Sequence, residues 1–316
     1  MSLALLFTPQ GSQVVGMGRE LASASRAARA VFEEADAVLG WPVSATCWDG
    51  PAERLDDTRQ TQPCLLTTSV AALRALEERT PLQPAFVAGH SVGEYAALVA
   101  AGVLELSAAL RLVARRGELM AAADTDGAMA AVLGLDRATV AATVDAVASP
   151  AELVVANDNA PGQIVISGRR AAITDATEAL RDAGAKRVLP LPVSGAFHSP
   201  RMAEVADRLA DAFAAEHWAD ARVPVVSNVT AEPETEAGRI RTLLAEQVRS
   251  PVEWVASVER LVSEGVDEVI ELGPGAALVG MVRRIAPEVR AFAVGDAKGL
   301  DAAVEAIGTQ PAGASA

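Results

Sequence analysis

The chain opens on a short apolar run, Leu3–Phe7, stopped by Thr8-Pro9-Gln10-Gly11-Ser12-Gln13. That pattern predicts a buried strand entering a polar loop. The apolar period then lengthens. Leu21, Ala24, Ala28, Val31, Phe32, Ala35 and Leu39 recur three and four apart, which predicts one amphipathic helix from about 18 to 39. A second helix is expected from about 61 to 78. Ala85–Ala88 reads as another buried strand; it runs into Gly89-His90-Ser91-Val92-Gly93, and Glu94–Ala101 then reads as a helix. Ser107 is placed to cap the next helix, which carries Leu110, Val113, Arg116 and Met120.

The middle of the chain has a different rhythm. Met129–Leu135 predicts a strand and Arg137–Val147 a helix. Glu152–Ala156 and Gln163–Ser167 predict strands joined by a turn cluster, Asn157–Gly162. Ala171–Asp182 is then a helix and Arg187–Leu191 a strand. The order β-α-β-β-α-β is the ferredoxin-like pattern and marks residues 127–192 as a small inserted domain. Afterwards come a helix from about 200 to 215, a strand Val223–Ser227 and helices from about 238 to 262. The strand Glu268–Leu272, a helix after Gly273-Pro274-Gly275 and a last strand Phe292–Val294 follow. The expected class is α/β, with residues 1–126 and 193–316 forming a large domain around a mostly parallel sheet covered on both faces. The tail Gly308–Ala316 is small and polar and is expected to be disordered.

Composition removes several classes of function. Lys+Arg number 27 and Asp+Glu 41, a net charge of −14, which argues against nucleic acid or an anionic membrane as the partner. No apolar stretch reaches the roughly 20 residues a spanning helix needs. Met1–Phe7 lacks the basic start of a signal peptide. The two cysteines, Cys47 and Cys64, make neither a disulfide framework nor a zinc site, so a reducing, cytoplasmic compartment is the natural reading.

Candidate chemistry centres on Gly89-His90-Ser91-Val92-Gly93. It is a G-x-S-x-G sequence between a predicted strand and a predicted helix, the setting of a nucleophile elbow, where a tight turn exposes a serine hydroxyl. A nucleophilic serine needs a base, and only three histidines exist. His90 is adjacent to Ser91 in the turn, and His217 beside Trp218 reads as a surface or packing residue. His198, in the loop after the insert, remains by elimination. An oxyanion needs backbone N–H donors; elbow geometry offers Val92, and the early loop offers Gln10. Arg116 falls within the apolar stripe of its helix, and a semi-buried guanidinium calls for a carboxylate.

These residues together resemble the malonyl-CoA:acyl carrier protein transacylases, which include freestanding enzymes of fatty acid synthesis and the acyltransferases of polyketide synthases. Phe7-Thr8-Pro9-Gln10-Gly11-Ser12-Gln13 is similar to the family's opening F-P-G-Q-G-S-Q, departing from it at Thr8-Pro9. Gly89–Ala97, Arg116-Gly117, the Asn157-to-Gly168 segment, His198, Gln247 and Glu271–Gly275 match further family motifs. The resemblance implies an α/β-hydrolase-like domain with a ferredoxin-like insert. It implies ping-pong transfer from malonyl-CoA to the phosphopantetheine thiol of an acyl carrier protein, with no metal or bound organic cofactor. In this reading Ser91 carries the acyl group and His198 is the base. Gln10 and Val92 hold the oxyanion, and Arg116 binds the malonyl carboxylate. The Gln247 backbone carbonyl orients His198, Phe197 fills the space an α-methyl would need, and Asn159 lies among the substrate-binding residues.

An acetyl group would leave Arg116 unpaired, at about 2–5 kcal/mol in a dry site. One extra methyl is worth only about 1–3 kcal/mol. Two other readings stay open on sequence: an editing hydrolase of carrier-protein thioesters on the same scaffold, and a non-catalytic docking protein. Arg169, Arg170, Lys186 and Arg187 on the insert are expected to form a basic docking patch for the acidic carrier protein.

Overall fold

The computed structural model describes residues 2–123, 126–193 and 195–308. Among them, the strands are β1 (Leu3–Phe7), β2 (Phe86–Gly89), β3 (Gly127–Leu133), β4 (Leu153–Ala160) and β5 (Gln163–Arg169), followed by β6 (Arg187–Pro190), β7 (Val225–Val226), β8 (Pro233–Glu234), β9 (Glu268–Leu272) and β10 (Arg290–Val294). They make two sheets. The first has the order β10-β9-β1-β2-β7-β8 and is parallel except at its β7–β8 edge. The second has the order β4-β5-β3-β6 and is antiparallel throughout.

β1 is buried along its whole length because helices cover both faces of the first sheet. Successive side chains of a strand alternate between faces. Leu5 and Phe7 pack with Leu65, Leu66 and Val70 of the helix Thr58–Arg79. Ala4 and Leu6 pack on the opposite side with Trp254, Val258, Leu278 and Val282. The second sheet buries Ala130, Val132, Ile164 and Ile166 beneath the helices Arg137–Val147 and Arg170–Asp182. Its other face, with Met129, Ala131 and Val165, turns toward a cavity at the end of the first sheet.

Several expectations are corrected. The helix expected from about 18 to 39 is two helices, Arg19–Ala24 and Arg26–Leu39. Ser25 breaks it: its backbone is extended and its hydroxyl accepts from Ala28 N–H at 3.0 Å, the N-cap role for which serine is suited. Ser107 does not cap its helix, which already begins at Leu106. The turn cluster Asn157–Gly162 shrinks to Pro161-Gly162, because β4 continues to Ala160 with two register shifts. The backbone there is taken up from outside the sheet, by Asp158 N–H to Val252 O at 3.0 Å and Val252 N–H to Ala156 O at 2.8 Å. The strand expected over Val223–Ser227 is only Val225–Val226. The helix Ala297–Gly308 and the short Val43–Asp49 and Ala52–Leu55 were not anticipated. The tail beyond Gly308 lies outside the described residues.

The four basic residues of the expected docking patch do not come together. Arg169 pairs with Gly127 at one end of β3, and Arg187 with Leu133 at the other, so the two halves are separated by about 20 Å. Arg169 is also ion-paired with Asp126 and Glu152.

Candidate active site

The first sheet delivers the nucleophile. β2 ends at Gly89, the chain turns through His90, Ser91 and Val92, and the helix Gly93–Ala100 begins. Ser91 has φ 54°, a left-handed conformation that costs a non-glycine residue about 1–3 kcal/mol. The turn is possible because its flanks lack side chains. A Cβ on Gly93 would lie 2.2 Å from Phe7 O, and one on Gly89 2.0 Å from the Gly93 carbonyl carbon.

The remaining groups arrive from distant parts of the chain. His198 Nε2 lies 2.8 Å from Ser91 Oγ, and His198 Nδ1 lies 2.9 Å from Gln247 O. A carbonyl can only accept, so the proton sits on Nδ1 and the Nε2 lone pair faces the serine hydroxyl. Gln247 O is free for this because the helix Ala237–Gln247 stops there, leaving its last carbonyls without helical partners. The helices expected from about 238 to 262 are Ala237–Gln247 and Trp254–Ser263, with the break between them falling at this carbonyl. Burial pushes the His198 imidazole down to about 3, with the Arg116 charge adding to the effect. It is neutral, the form that accepts a proton.

Arg116 is 1% exposed. It donates to Gln62 Oε1 at 2.8 Å, Gln247 Oε1 at 3.0 Å and Ser91 Oγ at 3.1 Å, and lies over the Tyr95 ring. All three acceptors are uncharged. Among the described residues no carboxylate is within ion-pair distance of Arg116, and its Nε has no partner. A buried guanidinium remains charged, so beside the nucleophile the site holds a positive charge that, among the described residues, no carboxylate pairs directly; Glu94 is felt only from across Gln247.

Ser91, His198, Arg116, Gln10, Asn159 and Phe197 all line one cavity of about 320 Å³ between the two sheets. Among the described residues the backbone N–H groups of Gln10 and Val92 make no hydrogen bond within the protein. Gln10 is steadied through its side chain, by Thr58 Oγ1 at 3.2 Å. Asn159 Oδ1 accepts from His90 Nε2 at 2.7 Å, which ties the second sheet to the elbow. His90 is also neutral, pushed down to about 4 by burial. His217 is exposed and outside the site. Among the described residues no group of three or more His, Cys, Asp or Glu side chains is placed to hold a metal ion.

Three site residues escaped the sequence reading. Gln62 holds Arg116 from the first turns of the helix Thr58–Arg79. Asn228 Oδ1 accepts from Ser91 N–H at 2.7 Å, and its Nδ2 donates to Gly89 O at 2.7 Å. Glu94 is buried and accepts from Asn228 N–H at 3.2 Å. The available signal was weak: an asparagine just past a strand's C-terminal end, where α/β sites collect, and a glutamate inside the elbow motif.

The acyl transferase domain family matches residues 4–299. The malonyl CoA-acyl carrier protein transacylase of Bacillus subtilis (strain 168) is 44% identical over 308 residues, covering 96% of this chain and 97% of that protein. The protein of the same name from Escherichia coli (strain K12) is 43% identical over 304 residues, covering 96% and 98% respectively. Among solved structures, a type II polyketide synthase acyl-carrier protein in complex with its malonyl-transacylase matches with a TM-score of 0.94 and 40% identity, over 97% of this chain and 100% of that one.

Proposed function

The chain belongs to the acyl transferase domain family, and on that premise we propose that it moves a malonyl group from malonyl-CoA to the phosphopantetheine thiol of an acyl carrier protein, through a malonyl-Ser91 intermediate. The observation that carries this reading is Arg116. It is a buried charge with no directly paired carboxylate among the described residues, 3.1 Å from the nucleophile's oxygen, and it selects an acyl group that ends in a carboxylate.

His198 Nε2 takes the Ser91 proton as Oγ attacks the thioester carbonyl. The negative charge that develops on the carbonyl oxygen is met by the N–H groups of Val92 and Gln10, each worth about 10²–10³ in rate if it behaves as other oxyanion donors do. The tetrahedral intermediate collapses, and His198 returns the proton to the departing coenzyme A thiolate. The carrier's thiol then repeats these steps in reverse, with His198 again as base. The Gln247 carbonyl fixes the imidazole's tautomer, so no acidic third member is required. Phe197 narrows the cavity against an α-methyl group, and Asn159, held by His90, faces the bound substrate.

The larger unit, residues 1–126 and 193–316, reads as α/β-hydrolase-like, and 127–192 as a ferredoxin-like insert. Its support is the β-α-β-β-α-β order and the β4-β5-β3-β6 sheet. The chemistry needs no metal and no bound organic cofactor. A cytoplasmic location fits the free thiols of Cys47 and Cys64. A net charge of −14 disfavours nucleic acid. Among the described residues no helix is long and apolar enough to cross a membrane.

Arg116→Ala tests the reading. Loading of Ser91 from malonyl-CoA is expected to fall at least 30-fold, the lower end of the penalty for breaking a buried charge pair, about 2 kcal/mol. Loading from acetyl-CoA is expected to fall less than fivefold. Equal losses would remove Arg116 as the carboxylate's partner.

A further inference from the structure

Glu94 takes no part in the proton and acyl transfers, yet its carboxylate is 2% exposed and lies under the elbow. Gln247 Nε2 donates to its Oε2 at 2.8 Å and Asn228 N–H at 3.2 Å. Each partner reaches a reacting group by another atom. Asn228 clasps the elbow on both sides of His90, through Ser91 N–H and Gly89 O. Gln247 Nε2 also donates to Ser91 O at 3.0 Å, while its Oε1 accepts from Arg116. Only one orientation of the Gln247 amide satisfies both neighbours, oxygen toward the guanidinium and nitrogen toward the carboxylate.

We propose that Glu94 is a positioning residue: by holding Gln247 and Asn228 from below, it sets Ser91 for attack and Arg116 for the substrate carboxylate. The inference rests on the malonyl-transfer reading above. Burial pushes the Glu94 carboxyl up to about 7, while the donors from Gln247 and Asn228 and the Arg116 charge favour its ionised form; either form keeps Oε2 as an acceptor for both donors, which suits an anchor that must resist the strained Ser91 backbone. Removing the anchor frees the Gln247 amide to rotate. Arg116 then loses one of its acceptors, and the selecting charge becomes mobile. The serine and the selectivity filter are thus tied to one carboxylate that touches neither substrate nor reacting atom.

The test uses the full-length chain and rapid-quench measurement of Ser91 acylation from malonyl-CoA and from acetyl-CoA, normalised to the fraction of folded protein. Glu94→Ala is expected to slow malonyl loading at least 30-fold and to lower the malonyl-over-acetyl preference at least fivefold. Glu94→Gln, which returns an acceptor oxygen to the same place, is expected to recover to within fivefold of the parent. If Glu94→Ala does not fold, Glu94→Asp carries the test, because its carboxylate is withdrawn from both partners; at least a tenfold slowing with a lowered preference is expected. Loading by either shortened variant within twofold of the parent would overturn the proposal. So would an unchanged malonyl-over-acetyl preference in the folded fraction, since a purely structural role would leave it alone. Failure of the parent itself to take up malonyl would overturn the transfer reading instead.

Discussion

His198 is buried, and loss of water from the imidazole sets its proton affinity. Held down to about 3, against about 6.5 for a free histidine, it stays neutral across the range in which an ordinary histidine would charge. Protonation of a base with the ordinary pKa would cost about thirtyfold in kcat/KM between pH 8 and pH 5. Ser91 acylation by malonyl-CoA is expected to fall less than tenfold over that range, and a loss near thirtyfold would show an ordinary imidazole. The malonyl carboxylate works against this part of the effect, because once paired with Arg116 it cancels the charge that adds to the depression; burial, the larger cause, still holds His198 down. Ser91 and Arg116 were legible in the sequence because each sits in a local pattern, the elbow and an apolar helical stripe. His198 was reached by elimination among three histidines. Glu94, Asn228 and Gln62 were not legible as a set. Asn228 and Gln247 are 137 and 156 residues from Ser91, and no spacing rule connects an asparagine in a loop to a backbone N–H that far away.

At the level of elements, the elbow works only if a helix packs against the end of β1 closely enough to leave no room for a methyl group. Gly93→Ala would set a Cβ 2.2 Å from Phe7 O, and backbone cannot yield as a flexible side chain can. This variant is expected to lose Ser91 acylation and much of its folded yield; normal loading would show that β1 and the helix can separate without cost. The strands and long helices were readable from their apolar period. Their ends were less so, for physical reasons visible at particular residues. Ser107 is expected as a cap and Ser25 inside a helix, yet Ser25 is extended and caps Arg26–Leu39, whereas Leu106 is already buried and helical. Asn157, Asp158 and Asn159 read as a turn on propensity, and they extend as a strand because Val252 and His90 supply partners from other segments. Tertiary contacts overrode local preference there. The helix break after Gln247 shows the reverse: what looks like a lost turn frees the carbonyl that orients the base.

Over the whole molecule, two sheets meet at a cavity to which one contributes the nucleophile and the other contributes Asn159 and the wall formed by Met129, Ala131 and Val165. Such an arrangement suits a substrate entering between the units, where pockets are common. The split of the four insert cations between opposite ends of β3 removes the simple picture of one basic landing patch on an acidic protein. The division of labour remains: an acyl group is parked on Ser91, one thiol leaves, another enters. The most direct measurement is the intact mass of the chain after brief exposure to malonyl-CoA without a carrier protein, beside Ser91→Ala. A gain of one malonyl group, absent in Ser91→Ala and discharged when an acyl carrier protein is added, is the expected result. An unchanged mass while free malonate and coenzyme A accumulate would contradict the account and make the protein a hydrolase.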